Sequence, residues 1–298
     1  MDGYAARKID LEQKAIKRIR LASEMSLQHY GLPLVCTYSG GKDSDVMLEL
    51  FKRSGVPFEA HNSHTTADAP QTVRHIRKVF QGLEQEGIPC NIDYHRQPDG
   101  KNITMWNLIP KKLLPPSRVM RYCCSELKES SCKNRMIATG VRWAESNKRK
   151  NRGVLEAIAS NRNKISLPDE KMLLSDNDDA RRLFERCELK AKTVVNPIVD
   201  WRDSDIWEYY WNECSSHNSL YKLGYYRVGC IGCPMAGKAR WKEFADFPKY
   251  KQAYIKAFER MLEVRKQRGL SQDWKNGEEV FLWWMEDKNV PGQISVFQ

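Results

Sequence analysis

The chain has 298 residues, 41% hydrophobic and 29% charged, and a formal net charge of +11 from 49 Lys and Arg against 38 Asp and Glu. That length suits one large domain or two smaller ones with ample core, and no apolar run reaches the ~18 residues of a membrane helix. The charged start, Met1 to Arg20, has no apolar signal core. The expectation is a soluble, cytoplasmic protein with no membrane partner. The basic excess suits a polyanionic partner or anionic substrates, and equally a merely basic surface.

Residues 5–29 read as an amphipathic helix whose apolar stripe is Ile9, Leu11, Ala15, Ile19 and Leu21-Ala22. Leu32 to Tyr38 predicts the first strand. It ends in Ser39-Gly40-Gly41-Lys42-Asp43-Ser44, and a helix opens at Val46-Met47-Leu48. Strand, glycine turn and helix present unpaired backbone N–H groups to a phosphate. Lys42 adds a point charge, and Ser39 and Ser44 add hydroxyl donors. The pattern is not G-x-x-x-x-G-K-[ST]. It looks like the loop of enzymes that split ATP between the α and β phosphates.

A second strand is expected at Phe58–Asn62, then a helix from Pro70 to about Gln85 with Asp68 placed to cap it. Cys90–Tyr94 predicts a third strand and Arg135–Val141 a fourth. Strands alternating with helices imply an open, mostly parallel α/β sheet with helices on both faces. Ligands of such sheets sit beyond the carboxyl ends of the strands, where the glycine loop, residues 61–68 and residues 140–149 would converge. Residues 150–192 read as a polar excursion with a short helix near Ala180–Leu189. A capped helix is expected from Asp203 to Cys214, with Ile206, Trp207, Tyr210 and Trp211 on its inner side. Two more are expected, from Pro248 to about Gly269 and from Gly277 to Asp287. The organisation expected is an N-terminal helix (1–30), a nucleotide-binding α/β domain (31–214) and a C-terminal helical cap (215–298).

Nine cysteines without a secretion signal argue against a disulfide framework. Four are grouped, Cys123-Cys124 and Cys230-Ile231-Gly232-Cys233. Four thiolates suit tetrahedral zinc or an iron–sulfur cluster. Adjacent cysteines diverge and suit a cube in which each thiolate takes its own iron; two unrelated buried pairs are the plain alternative. Cys36, Cys90, Cys187 and Cys214 read as structural. Cys132 lies about two helical turns after Cys124 and stays unassigned.

These motifs resemble the phosphoadenosine phosphosulfate reductase family over most of the chain. Ser39 to Ser44 looks like its phosphate loop, Thr65-Thr66-Ala67-Asp68-Ala69-Pro70 like its threonine-and-proline loop, and Thr139-Gly140-Val141-Arg142 through Ser146 and Arg149 like its substrate loop. Asn196-Pro197, Asp205-Ile206-Trp207, Leu220 to Tyr225 and Val228-Gly229-Cys230 follow its C-terminal half. The resemblance implies an adenine nucleotide α-hydrolase-like fold. It implies ATP, with Mg²⁺, or a related nucleotide held by Ser39, Gly40, Gly41, Lys42, Asp43, Ser44, Thr65, Thr66, Asp68, Gly140, Arg142, Ser146 and Arg149. Lys42, Asp43 and Arg142 would act in catalysis, with Asp43 or Asp45 as the Mg²⁺ carboxylate. Cys123, Cys124, Cys230 and Cys233 resemble the ligands of members carrying a four-iron four-sulfur cluster.

The family's reductases carry a nucleophilic cysteine in a C-terminal Glu-Cys-Gly tail, whereas the last cysteine here is Cys233 and the sequence closes Pro291 to Gln298. Nucleophilic catalysis needs the thiolate, so the expectation is the sulfurtransferase-like branch, including the protein that activates DNA for phosphorothioation. The acceptor would then be a nucleic acid or another oxygen nucleophile, with a sulfur-donor protein as partner. Lys148 and Lys150, beside Arg142 and Arg149, would guide a strand. His61 and His64 are weaker candidates for a general base. Trp143, Trp201, Trp207, Trp211, Trp283 and Trp284 read mostly as core, with stacking of one of them on adenine or a flipped base as the alternative. Two other readings stand beside this one. One is a sulfonucleotide reductase using Cys132 or a partner thiol; the other is a non-catalytic nucleotide- and cluster-binding regulator.

Overall fold

The computed structural model describes residues 3–158, 164–167, 192–271 and 273–286. The described strands are β1 (Leu34–Thr37), β2 (Phe58–Ser63), β3 (Cys90–Asp93), β4 (Met136–Ala138), β5 (Leu155–Ile158), β6 (Lys164–Leu167) and β7 (Lys192–Val195). They form one open sheet in the order β3-β2-β1-β4-β7-β5-β6. β1 runs parallel to β2 and to β4, and β4 parallel to β7. β5 is antiparallel to β7 and to β6. In chain order the helices are α1 (Gly3–Tyr30), α2 (Lys42–Ser54), α3 (Pro70–Gln85), α4 (Met105–Lys112), α5 (Tyr122–Leu127), α6 (Asp203–Glu213), α7 (Ser219–Lys222), α8 (Ala239–Asp246), α9 (Pro248–Gln267) and α10 (Gly277–Met285).

Two compact units divide the chain: Met1–Asn62, Pro70–Asp93 and Ser131–Val228 form the first, and Ser63–Ala69, Tyr94–Ser130 and Gly229–Gln298 the second. In the first unit, Leu34, Val35 and Cys36 of β1 are all buried, as a central parallel strand requires. α1 lies along β1, β4 and β7 with Ala15, Ile19 and Ala22 fully buried. Arg18 anchors it, donating to Asp200 at 2.8 Å and to the Pro197 carbonyl at 2.8 Å. Val46, Met47, Leu50 and Phe51 of α2 complete the same core with Trp201, Tyr209 and Tyr210. In the second unit, Tyr254 and Phe258 of α9 meet Phe244 of α8 and Trp284 of α10, the Tyr254 and Trp284 centroids 4.8 Å apart.

The main elements stand where the apolar periods put them, and α3 spans the predicted residues. Residues 150–192 differ from the polar excursion expected: β5 and β6 extend the sheet there, with Leu155 opposite Val195 on β7. Buried Val154 and Leu155 supply the apolar contact that the surrounding polar sequence masks. β4 is three residues long, because past Ala138 the chain turns toward α2. Asp68 does not cap α3: its carboxylate accepts from the backbone N–H and the hydroxyl of Thr65, at 3.0 and 2.7 Å. The expected helix at 180–189, Cys187 and the terminal stretch from residue 287 lie outside the described residues.

Candidate functional site: a phosphate loop and a thiolate centre

In the first unit β1 runs through Tyr38 into Ser39-Gly40-Gly41, and α2 begins at Lys42. Gly40 has φ +72°, and a Cβ there would meet Ile76 Cγ1 at 2.8 Å, so only glycine fits. Ser44 closes the turn, its hydroxyl donating to the Gly41 carbonyl at 2.7 Å and accepting from Gly41 N–H at 3.1 Å. Its hydroxyl therefore pins the loop, where the sequence suggested a free donor. The Lys42 N–H donates to the Tyr221 hydroxyl at 2.8 Å. Asn218 donates to the Gly40 carbonyl at 2.8 Å and to Thr72 at 3.1 Å. A rigid helix N-terminus with first-turn amides lacking intrahelical acceptors is a ready anion site.

Lys42 is only 6% exposed. Its Nζ lies 3.1 Å from Asp43 and over the rings of Trp207 and Tyr226, at 5.2 and 5.6 Å. Arg142 is 1% exposed and bridges Asp43 (2.7 Å), Asp203 (2.8 Å) and the Trp201 carbonyl (3.3 Å). Gly140 allows that approach: a Cβ there would stand 3.2 Å from the Asp43 carbonyl oxygen. Arg142 is thus a buried strut holding Asp43, where the sequence suggested an open phosphate contact. Asp45 is not open to a metal ion. It is buried, accepts from the Tyr38 hydroxyl, and lies 3.0 Å from His75 Nε2. Burial pushes its carboxyl above the usual range, against the opposing pull of His75. Ser146 and Lys150 are exposed, and Arg149 pairs with Glu145. His61 lies in β2, its carbonyl accepting from Tyr38 N–H at 2.8 Å.

The second unit gathers the other predicted residues. Cys230 forms an antiparallel bridge with Asp68, and Ile231 N–H donates to the Ala67 carbonyl at 2.8 Å. The Cys230 thiol donates to the Thr65 hydroxyl at 3.3 Å. Thr66 sits at φ +63°, strained for a β-branched residue, and its hydroxyl accepts from Met105 N–H at 2.9 Å. His64 Nδ1 lies 3.9 Å from Asp68. The Cys-x-x-Cys turn is tight: Gly232 has φ +76°, with no room for a Cβ, which would meet Phe244 at 2.5 Å. Gly232 N–H donates to Glu243 at 2.7 Å.

Cys123, Cys124, Cys230 and Cys233 share one electrostatic neighbourhood. The Cys123 thiol is pushed up, first by its hydrogen bond to Cys124 and then by burial, with Cys230 and Cys233 adding to it. Cys124 is pulled down to about 5, led by that same hydrogen bond, with Arg121 and Lys128 helping; Arg121 Nη2 donates to its sulfur at 3.3 Å. Burial pushes Cys230 up to about 11, partly offset by Lys128. Among the described residues no three His, Cys, Asp or Glu side chains close on a point that would hold a metal ion. Cys132 belongs to the first unit, at φ +54°, its thiol raised by burial.

Sequence reasoning missed Asn218, Asp203, Arg121 and Lys128. Asn218 had a readable signal, a capping position ahead of Leu220-Tyr221. The others are long-range partners that no local pattern marks.

A model of the phosphoadenosine phosphosulfate reductase domain matches residues 33–236. The chain belongs to that family. It spans about half the length of the curated relatives it matches. One, an uncharacterized protein of Methanocaldococcus jannaschii, is 24% identical over 265 residues, covering 88% of this chain and 54% of the relative. Among solved structures, Candida glabrata FMN adenylyltransferase matches with TM-score 0.46 and 15% identity, over 78% of this chain and 64% of that one. Candida auris phosphoadenylyl-sulfate reductase in its phosphate complex matches with TM-score 0.43 and 16% identity, over 75% and 93%. The U34-tRNA thiolase NcsA of Methanococcus maripaludis, with its [4Fe-4S] cluster, matches with TM-score 0.35 and 14% identity, over 91% and 84%. No helix among the described residues is long and apolar enough to cross a membrane.

Proposed function

We propose that this chain is an enzyme that binds ATP at the Ser39–Ser44 loop and cleaves it between the α and β phosphates, activating an oxygen of an acceptor for sulfur transfer. The observation that carries this reading is the buried Lys42 at the N-terminus of α2, behind a glycine turn fixed by Ser44, Tyr221 and Asn218. Pyrophosphate leaving the α-phosphorus develops negative charge. The Lys42 ammonium and the N-terminal end of α2 would meet such charge, and fixed positive groups there lower a barrier most. The Gly41 and Lys42 amides themselves are taken by Ser44 and Tyr221, which hold the turn in place. Arg142 fixes and partly neutralises the Asp43 carboxylate by holding Oδ1 at 2.7 Å. Asp43 already meets Arg142 and Lys42. Mg²⁺ would therefore arrive on the nucleotide phosphates, and Asp43, unlike the buried Asp45, is the loop carboxylate that could join it.

Cys123, Cys124, Cys230 and Cys233 would hold an iron–sulfur cluster rather than one zinc ion, because the adjacent Cys123-Cys124 pair suits ligands to separate irons. Zinc draws four sulfurs to ~2.3 Å of one point, whereas a cubane takes one thiolate per iron from wider spacing. Bound there, a four-iron four-sulfur cluster would supply sulfur handling or electron transfer. Arg121 donates to Cys124 and Lys128 favours the Cys230 thiolate, so this chain offers the positive charge that a set of thiolates needs. Reaction products test the reading: AMP or an adenylate with pyrophosphate supports it. Sulfite from adenosine phosphosulfate would favour a reductase instead, and nucleotide binding without turnover a regulator.

A further inference from the structure

A row of aromatic rings outside the phosphate loop has no role in the chemistry above. Tyr226 and Trp207 lie 5.5 Å apart. Trp207 stacks on Trp211 at 6.2 Å and 13°, and Trp211 on His217 at 4.9 Å and 30°. A core would bury such rings, yet Tyr226 is 62% and Trp211 42% exposed. One end of the row is the Lys42 ammonium, over both Trp207 and Tyr226. Its flank is the segment Lys222 to Arg227, where Lys222, Leu223 and Arg227 are all exposed. The Trp207 Nε1–H is buried and finds no acceptor among the described residues. All these groups lie in the first unit.

We infer that this row is a stacking platform for unpaired bases of a single-stranded nucleic acid, which it leads toward Lys42. Three features select that ligand. The exposed ring faces accept any base, because every base has a π-face. Lys222 and Arg227 supply cations for the phosphates between bases, in keeping with the +11 net charge. Trp207, Trp211 and His217 lie within 30° of their neighbours, a geometry that suits stacked bases, with Tyr226 tilted 50° from Trp207 at the end of the row, whereas a duplex would hide its bases from them. The inference deepens the proposed function by naming the class of acceptor, and so rests on that reading for its purpose, though its binding test does not.

The test is fluorescence anisotropy of the full chain with a labelled single-stranded oligonucleotide of ~15 nucleotides, within the span such platforms cover, without ATP. The parent protein should bind it saturably and bind a duplex of the same sequence more weakly. Trp211→Ala should weaken binding roughly 5- to 150-fold, the effect of losing one base–aromatic stack, and Trp211→Phe should restore most of it. Trp211 is half exposed, so the truncation leaves the fold intact, and pyrophosphate release from ATP by Trp211→Ala should equal the parent's. The inference is overturned if the single strand does not bind, if Trp211→Ala binds like the parent, or if the duplex binds as tightly. ATP cleavage is scored separately: stacking-dependent binding without pyrophosphate release would sink the catalytic reading alone, and release without strand binding would sink the platform alone.

Discussion

Arg142→Met removes the strut behind the phosphate loop. Arg142 gives one charge-assisted bond to Asp43 at 2.7 Å, one to Asp203 at 2.8 Å and a weaker one to the Trp201 carbonyl at 3.3 Å. Bonds to charged groups contribute roughly 1.5–3 kcal/mol each. The Asp43 and Asp203 side chains are 23% and 45% exposed, so water takes over part of their solvation and the loss falls at the low end, about 2–3 kcal/mol in total. At ~2–4 °C per kcal/mol for a chain of this size, the melting temperature should fall about 4–12 °C. The freed Asp43 carboxylate then stands at the anion end of α2, and ATP affinity should fall at least about tenfold. Arg142→Lys keeps the charge but cannot span both carboxylates, and should land between. Circular dichroism melting and calorimetric ATP titration read the two effects. A melt within ~1 °C of the parent, with unchanged ATP affinity, would refute the strut.

Lys42→Met should weaken ATP binding about 10- to 150-fold, the loss of one charged contact, with little change in melting; equal affinity would remove Lys42 from the site. Serine at Cys123, Cys124, Cys230 or Cys233 should abolish the brown colour of anaerobically purified protein, whereas Cys132→Ser should keep it; a colourless parent holding one zinc would overturn the cluster. Asp200 gives a pH signature. Burial alone would raise its carboxyl, but hydrogen bonds from Arg18 and Lys14 outweigh that and hold it below 3.8. Its folded value is thus the lower one, so its stabilisation is full above the unfolded value and is lost as pH falls from there through the folded one. Asp200→Asn should be less stable at pH 7 and lose less between about pH 5 and pH 2; parallel curves for the two proteins would refute this. Log affinity for a single strand should fall with log salt at about −0.7 per phosphate contacted, and reversing Lys222 and Arg227 should flatten that slope.

The elements legible in the sequence are those whose signal is local. The β1–loop–α2 run carries its own glycines and apolar period, and α3 is bounded by Pro70. β5 and β6 were not legible, because they are four-residue strands in polar sequence, and their pairing with β7 is a tertiary event. Within the site, residue types were readable but their partners were not. Arg142 looked like a phosphate ligand from its loop. Only the fold shows Asp203, 61 residues on, turning it inward. Asp45 looked like a metal ligand beside Asp43, yet residues two positions apart on a helix point to different sides, Asp45 here toward Tyr38 and His75. Trp211, expected to face inward, is instead 42% exposed and stacked along Trp207, while Tyr210 is the residue that is fully buried.

The central claim is the bond that breaks. The most direct measurement is to incubate the anaerobically purified protein with Mg²⁺ and ATP carrying separate α- and γ-phosphate labels, with and without a single-stranded oligonucleotide, and to separate the products. The expected result is the α label in AMP or an adenylate and the γ label in pyrophosphate, with both strongly reduced in Lys42→Met at the same ATP concentration. The α label in ADP with the γ label in inorganic phosphate, or intact ATP beside sulfite made from adenosine phosphosulfate, would contradict it.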